Sequence, residues 1–181
     1  GVVRRRGSSP DDADFWQPYR QRHQIFVNAG RGNFRDISRD NPDFSDRPGV
    51  GRALMVTDFD DDGAPDLLST EIAGPARLFR NVAPRAGHHL IVRAILPQAG
   101  SRDAYGAEVT VRIGERRYRR LVQPGFSYLC SSDPRLFFGL GNASAYDEIE
   151  VTWPDGRRER FPGGPVDQRV VLRQGDGRQA P

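Results

Sequence analysis

The chain has 181 residues, 36% of them hydrophobic and 28% charged, which suits one large domain or two small ones. Its 20 Gly and 14 Pro favour many short strands over long helices. No apolar run approaches the length of a membrane-spanning helix, and one cysteine excludes an internal disulfide framework.

The opening "GVVRRRG" shows no signal peptide, and a first residue other than Met is what a fragment or processed product presents. The formal net charge is +3, and all 27 basic residues are Arg. They are scattered through every segment, as the codon bias of a GC-rich genome produces. Two clusters, Arg4–Arg6 and Arg116–Arg120, keep a nucleic-acid reading open.

"QIFVNAGRGNF" (Gln24 to Phe34) and "RLFRNVAPRAG" (Arg77 to Gly87) share an apolar residue, Phe, any residue and Asn. The pattern predicts core positions for Phe26 and Phe79, and turns closed by Asn28 and Asn81, where Asn tolerates positive φ. "RDNPDFSDRPG" (Arg39 to Gly49) reads as an insertion within this repeat.

"DFDDDGAPDLL", Asp58 to Leu68, crowds acids that repel one another unless a cation compensates them. Calcium takes six to eight oxygen ligands, and acids at alternate positions supply them. Asp58, Asp60 and Asp62 fall at positions 1, 3 and 5 of such a loop. Gly63 permits the sharp turn, Ala64 offers its carbonyl, and Asp66 adds a carboxylate at position 9. The second half departs from a helix–loop–helix site: Ser69 stands where a bidentate Glu belongs, and Pro65 obstructs an exiting helix. "GRALMVTDF" before the loop and "DLLST" after it read as strands, so this is a strand–loop–strand calcium site.

Beyond residue 87, "HHLIVRAIL", "GAEVTVRIG", "RRYRRLV", "DEIEVTW" and "RVVLRQ" are strand candidates at short spacing. Ala107, Val109, Val111 and Ile113 alternate with Glu108, Thr110 and Arg112, giving one buried and one wet face. "EVTWPDGRRERF" reads as a hairpin with Pro154-Asp155-Gly156 at its tip and Trp153 in the core. Several antiparallel strands with such turns suggest a β-sandwich.

Two resemblances follow from these motifs. "GRALMVTDFDDDGAPDLLSTEIAGPARLFRN" resembles the FG-GAP/VCBS repeat, a β-propeller blade whose strand–loop–strand unit holds calcium. The resemblance implies side-chain ligands at Asp58, Asp60, Asp62 and Asp66 with the Ala64 carbonyl, and it leaves Asp61 pointing outward. A propeller needs at least four blades, so the chain would hold only the end of one. "YGAEVTV", "PGFSYLCSSDPRLFFGLG" and "EIEVTWPDGRRERF" resemble the ASPIC/UnbV domain, which follows FG-GAP repeats in the cartilage acidic protein family and bacterial relatives. Cys130 and Phe138 depart from the residues common there. The implied organisation is an all-β chain: terminal propeller repeats over residues 1–84, an ASPIC/UnbV sandwich over 85–175, and a disordered tail over 176–181.

No catalytic constellation stands out. Leu129 occupies the second Gly position that a nucleophile elbow needs in "GFSYL". His88 and His89 are adjacent, so a strand would point them to opposite faces and bar joint chelation. "SSDPR" (Ser131 to Arg135) reads as an Asp-Pro turn, and Cys130 as a half-buried structural thiol. The leading expectation is a non-enzymatic, calcium-binding interaction module, secreted or on the cell surface. Its partner would be a protein or a glycan. Two alternatives stand beside it: a cytoplasmic accessory protein of enediyne-type natural-product biosynthesis, and a nucleic-acid-binding protein.

Overall fold

The computed structural model describes residues 15–72, 74–84 and 87–180; the Arg4–Arg6 cluster lies outside them. The described residues group into two compact units, each discontinuous in sequence. The first takes residues up to Met55, Leu67–Phe79 and Ser127–Cys130, and the second takes Val56–Asp66, Arg80–Phe126 and residues from Ser131 onward. The chain is all-β, and none of the sheets among the described residues is closed. No helix among the described residues is long and apolar enough to cross a membrane.

In the first unit, strands β1 (Phe26–Gly30) and β2 (Asn33–Asp36) form an antiparallel hairpin through Arg31 and Gly32, both at positive φ. Phe26 is not core: it is 53% exposed, because both strands of this ribbon are exposed along their whole length. Phe79 does pack, edge-on to Phe44 with ring centroids 5.0 Å apart. The two Asn close turns, though without positive φ. Each side-chain carbonyl accepts the N–H two residues on, Asn28 from Gly30 at 2.7 Å and Asn81 from Ala83 at 3.1 Å. Strands β3 (Gly51–Thr57), β4 (Asp66–Glu71) and β5 (Arg77–Phe79) run in that order across a second small sheet, and the acidic loop joins β3 to β4.

The second unit holds the main core. One sheet carries β10 (Leu136–Gly141), β6 (His88–Leu96) and β13 (Gln168–Arg173), with the short β7 (Arg102–Asp103) beside β6. The other orders β14 (Arg178–Gln179), β12 (Arg158–Pro165), β11 (Ala145–Thr152), β8 (Glu108–Ile113) and β9 (Arg116–Leu121). Both sheets contribute to a single hydrophobic cluster: Leu90 and Val92 from β6, Phe138 and Leu140 from β10, Val109 and Val111 from β8, Ile149 and Val151 from β11. The alternation in β8 is as the sequence predicts, with Glu108, Thr110 and Arg112 away from that cluster. Trp153 is buried edge-on to Phe161, at the end of the β11–β12 hairpin.

Two further details depart from the sequence reading. The strands are not all antiparallel, since β13 runs parallel to β6 from Gln168↔Leu90 to Arg173↔Ile95. A parallel neighbour needs a long crossover, and the whole five-stranded sheet but β14 lies between these two strands in sequence. The segment expected as a tail contributes β14, which pairs with Glu159 and Arg160 of β12. It is anchored by the buried Glu159, whose carboxylate accepts the N–H groups of Gly175 at 3.0 Å and Gly177 at 3.3 Å.

Candidate metal centre

The loop from Asp58 to Asp66 is shaped by its own carboxylates. Asp58 accepts the N–H of Asp62 at 3.0 Å and of Gly63 at 3.1 Å, which folds the chain back over it. Asp62 accepts from the Ala64 N–H at 2.8 Å. Asp66 ties the loop's two ends and the following segment together, accepting from Phe59 at 2.9 Å and from Asn81 at 2.7 Å. The turn needs two left-handed residues, Asp61 at φ +59° and Gly63 at φ +92°.

This folding brings one carboxylate oxygen each from Asp58, Asp60 and Asp66 within 4.8 Å of one another. Asp58 and Asp66 are 4% and 2% exposed. Asp62 stands outside that trio, and the Ala64 N–H donates to its carboxylate. Each carboxylate has about four lone-pair directions, so the backbone donors already bound leave acceptor capacity free. The donor set is oxygen only and anionic, the chemistry a hard divalent cation takes.

Three arginines sit against the loop. Arg80 lies 2.6 Å from Asp60 and 3.7 Å from Asp62. Arg169 lies 3.0 Å from the Asp61 carboxylate and 3.7 Å from that of Asp58, and it also donates to the Asp61 carbonyl at 2.6 Å. Arg135 donates to Asp61 at 2.9 Å, to the Asp58 carbonyl at 3.2 Å and to Asp133 at 2.5 Å. The hydrogen bonds from Arg135 and then Arg169 hold the Asp61 carboxyl below the usual carboxylate range. Arg135 is in turn held more firmly protonated, by Asp133 first and then Asp61. Asp61 thus turns to two arginines and away from the trio. Sequence reasoning missed all three cations. Only Arg80, next to the turn residue Asn81, was near enough in the chain to be noticed.

"SSDPR" is indeed a turn, in which Asp133 accepts the Arg135 N–H at 2.9 Å. It also has a pairing role, since the Ser132 hydroxyl accepts the Val56 N–H and the Asp133 backbone N–H donates to the Val56 carbonyl. Cys130 is half-buried with its thiol 3.9 Å from the Leu54 carbonyl. His88 and His89 do not diverge as adjacent strand residues should. Their Nδ1 atoms meet the two oxygens of one carboxylate, Asp167, at 2.7 and 3.2 Å. The parallel pairing of β13 puts Asp167, at φ +56°, beside the start of β6, where its N–H donates to the His89 carbonyl at 2.7 Å. The His88 hydrogen bond holds the Asp167 carboxyl below its ordinary value. These groups line an open cleft of about 780 Å³ with Asp61, Gly63 and Arg169.

An all-β chain with an acidic strand–loop–strand site and a two-sheet C-terminal core is the class that these features define. Residues 97–179 match the family model described as ASPIC and UnbV. The chain is similar to cartilage acidic protein 1 of Xenopus tropicalis, 35% identical over 122 residues, which is 65% of this chain and 18% of that protein. The proteins of the same name from Mus musculus and Homo sapiens are each 34% identical over 113 residues, 60% of this chain and 17% of theirs. The chain therefore spans less than a fifth of the length of the curated relatives it matches.

Proposed function

We propose that the chain is a non-enzymatic interaction module with one structural calcium ion in the Asp58–Asp66 loop. Asp58, Asp60, Asp62 and Asp66 supply side-chain oxygens and Ala64 its carbonyl. The loop and its flanking strands form part of an FG-GAP-type propeller blade, and the two C-terminal sheets pack as the ASPIC/UnbV sandwich. The observation that carries this reading is the convergence of Asp58, Asp60 and Asp66 on one small volume. An ion there offsets the mutual repulsion of the acids and closes the loop between β3 and β4. A secreted or cell-surface setting is supported by the similarity to proteins named for cartilage, and the partner there would be a protein or a glycan.

Calorimetry tests the calcium site directly. One ion should bind with a Kd of about 10⁻⁴ to 10⁻⁶ M, since the bidentate Glu of tighter loops is absent. The Asp58→Ala, Asp66→Ala double variant should lose that binding. Unchanged titration curves in the double variant would remove the loop from the account.

A further inference from the structure

The Arg116–Arg120 cluster plays no part in the calcium site. It lies on β9, the outermost strand of the five-stranded sheet, whose other edge has no strand partner among the described residues. Four of its six residues are Arg, and Arg116, Arg117, Arg119 and Arg120 are all exposed. Tyr118 packs inward against the hydrophobic cluster. Strand alternation then sends Arg117 and Arg119 to the outer face, and Arg116 and Arg120 to the Tyr118 side.

The charges are not neutralised from within. Arg119 pairs with Glu108 at 2.6 Å, but Arg116, Arg117 and Arg120 make no ion pair among the described residues. Arg117 stands directly opposite Arg112 of β8. Like charges so placed are about 4.5–5.5 Å apart at Cβ and weaken the pairing. Arg112 has only Glu148, at 3.7 Å, and shares it with Arg160 at 3.9 Å. Charge on an edge strand guards against edge-to-edge aggregation, yet that purpose does not call for two arginines facing each other across the ladder.

We propose that β9, together with Arg112, binds a linear sulfated polysaccharide laid along the open edge. Successive residues on one face of a strand are about 6.8 Å apart. A single chain carrying anions can therefore meet arginines on both sides of that edge, and the guanidinium fork matches paired sulfate oxygens. Duplex DNA is the competing polyanion, and Glu108, Glu148 and Glu150 oppose phosphates that spread across the outer face beyond the edge. Single-stranded nucleic acid is bound through aromatic platforms; the one aromatic residue of β9 is turned inward, and the exposed Phe126 lies beside Arg120 at one end of the strand only. The inference narrows the partner to a glycan and holds whether or not the loop binds calcium.

Binding of the full chain to immobilised heparin, with chelator present, provides the test. The wild-type protein should bind at about 0.15 M salt, and the slope of log K against log salt should fall by about two in the Arg117→Gln, Arg120→Gln variant. That variant should bind at least about tenfold more weakly, while Arg31→Gln, Arg173→Gln, with the same net charge, stays near wild type. Three results overturn the proposal: equal losses in the two variants, equal binding to desulfated heparin, or tighter binding to single- or double-stranded DNA. Far-ultraviolet circular dichroism establishes that both variants are folded, and the desulfated-heparin comparison uses wild-type protein alone.

Discussion

Asp61 and Arg135 lie 74 residues apart in sequence and meet at 2.9 Å. The contact explains why the one loop acid set aside as a ligand is still fixed in place. Arg135 also donates to the carbonyl of Asp58 and to the carboxylate of Asp133, so one guanidinium spans the loop and the Asp-Pro turn.

Removing that guanidinium should cost far more than removing Asp61. The Asp133 and Arg135 side chains are 8% and 20% exposed, and breaking such a pair strands a nearly buried carboxylate. Arg135→Gln should destabilise the chain by about 3 kcal/mol, the low end for a broken buried pair. Asp61→Asn, whose side chain is mostly exposed, should shift the urea midpoint much less. Equal shifts in the two variants would mean that Arg135 acts through the loop and not through Asp133.

The loop turn makes a second demand, at Gly63. Its φ of +92° disfavours any L side chain, and a Cβ there would sit 2.6 Å from Nε2 of His89. Gly63→Ala should therefore cost about 1–3 kcal/mol from backbone strain with a steric contribution added. The pairing with His89→Ala separates the two: relief of the clash should recover part of the loss but leave the strain. Full recovery in the double variant would show that the backbone tolerates alanine at this φ. Thermal unfolding of the four proteins measures both contributions.

Acid sensitivity has a definite sign. The Arg157 side chain, with help from its backbone N–H and from Gln174, holds the Asp155 carboxyl below its ordinary value; Asp61 is held down by Arg135 and Arg169. A carboxyl depressed in the folded state contributes stability above its unfolded value, about pH 4, and that contribution fades as pH falls through the folded value. Asp155→Asn should thus be less stable than wild type at pH 7, with the gap closing as pH falls below about 4. Urea midpoints at pH 7, 4 and 2 measure it. A gap that stays constant over that range would assign the loss to the hairpin tip's geometry instead of its charge.

Much of the architecture was legible in local patterns. Period-two alternation in "GAEVTVRI" marks the buried face of β8, because a half-covered strand must alternate. The Trp153-Pro154-Asp155-Gly156 stretch marks the β11–β12 turn, because Gly156 supplies positive φ (+85°) there. Acids at alternate positions around Gly63 mark a loop whose backbone folds onto its own carboxylates. These are properties of neighbours in the chain, and sequence alone determined them.

Tertiary structure decided what depends on distant pairing. The parallel register of β13 with β6 brings Asp167 to both histidines and Arg169 to Asp58 and Asp61, and nothing in either segment encodes its partner. Phe26 and Phe79 share one local motif, yet Phe79 packs on Phe44 while Phe26 stays exposed, since burial requires a second layer that the hairpin of Phe26 lacks among the described residues. The acidic loop itself could be read as needing a cation. Which arginines meet its carboxylates was settled by strands folded together from far along the chain, because Coulomb attraction acts on proximity in space and not on order in sequence.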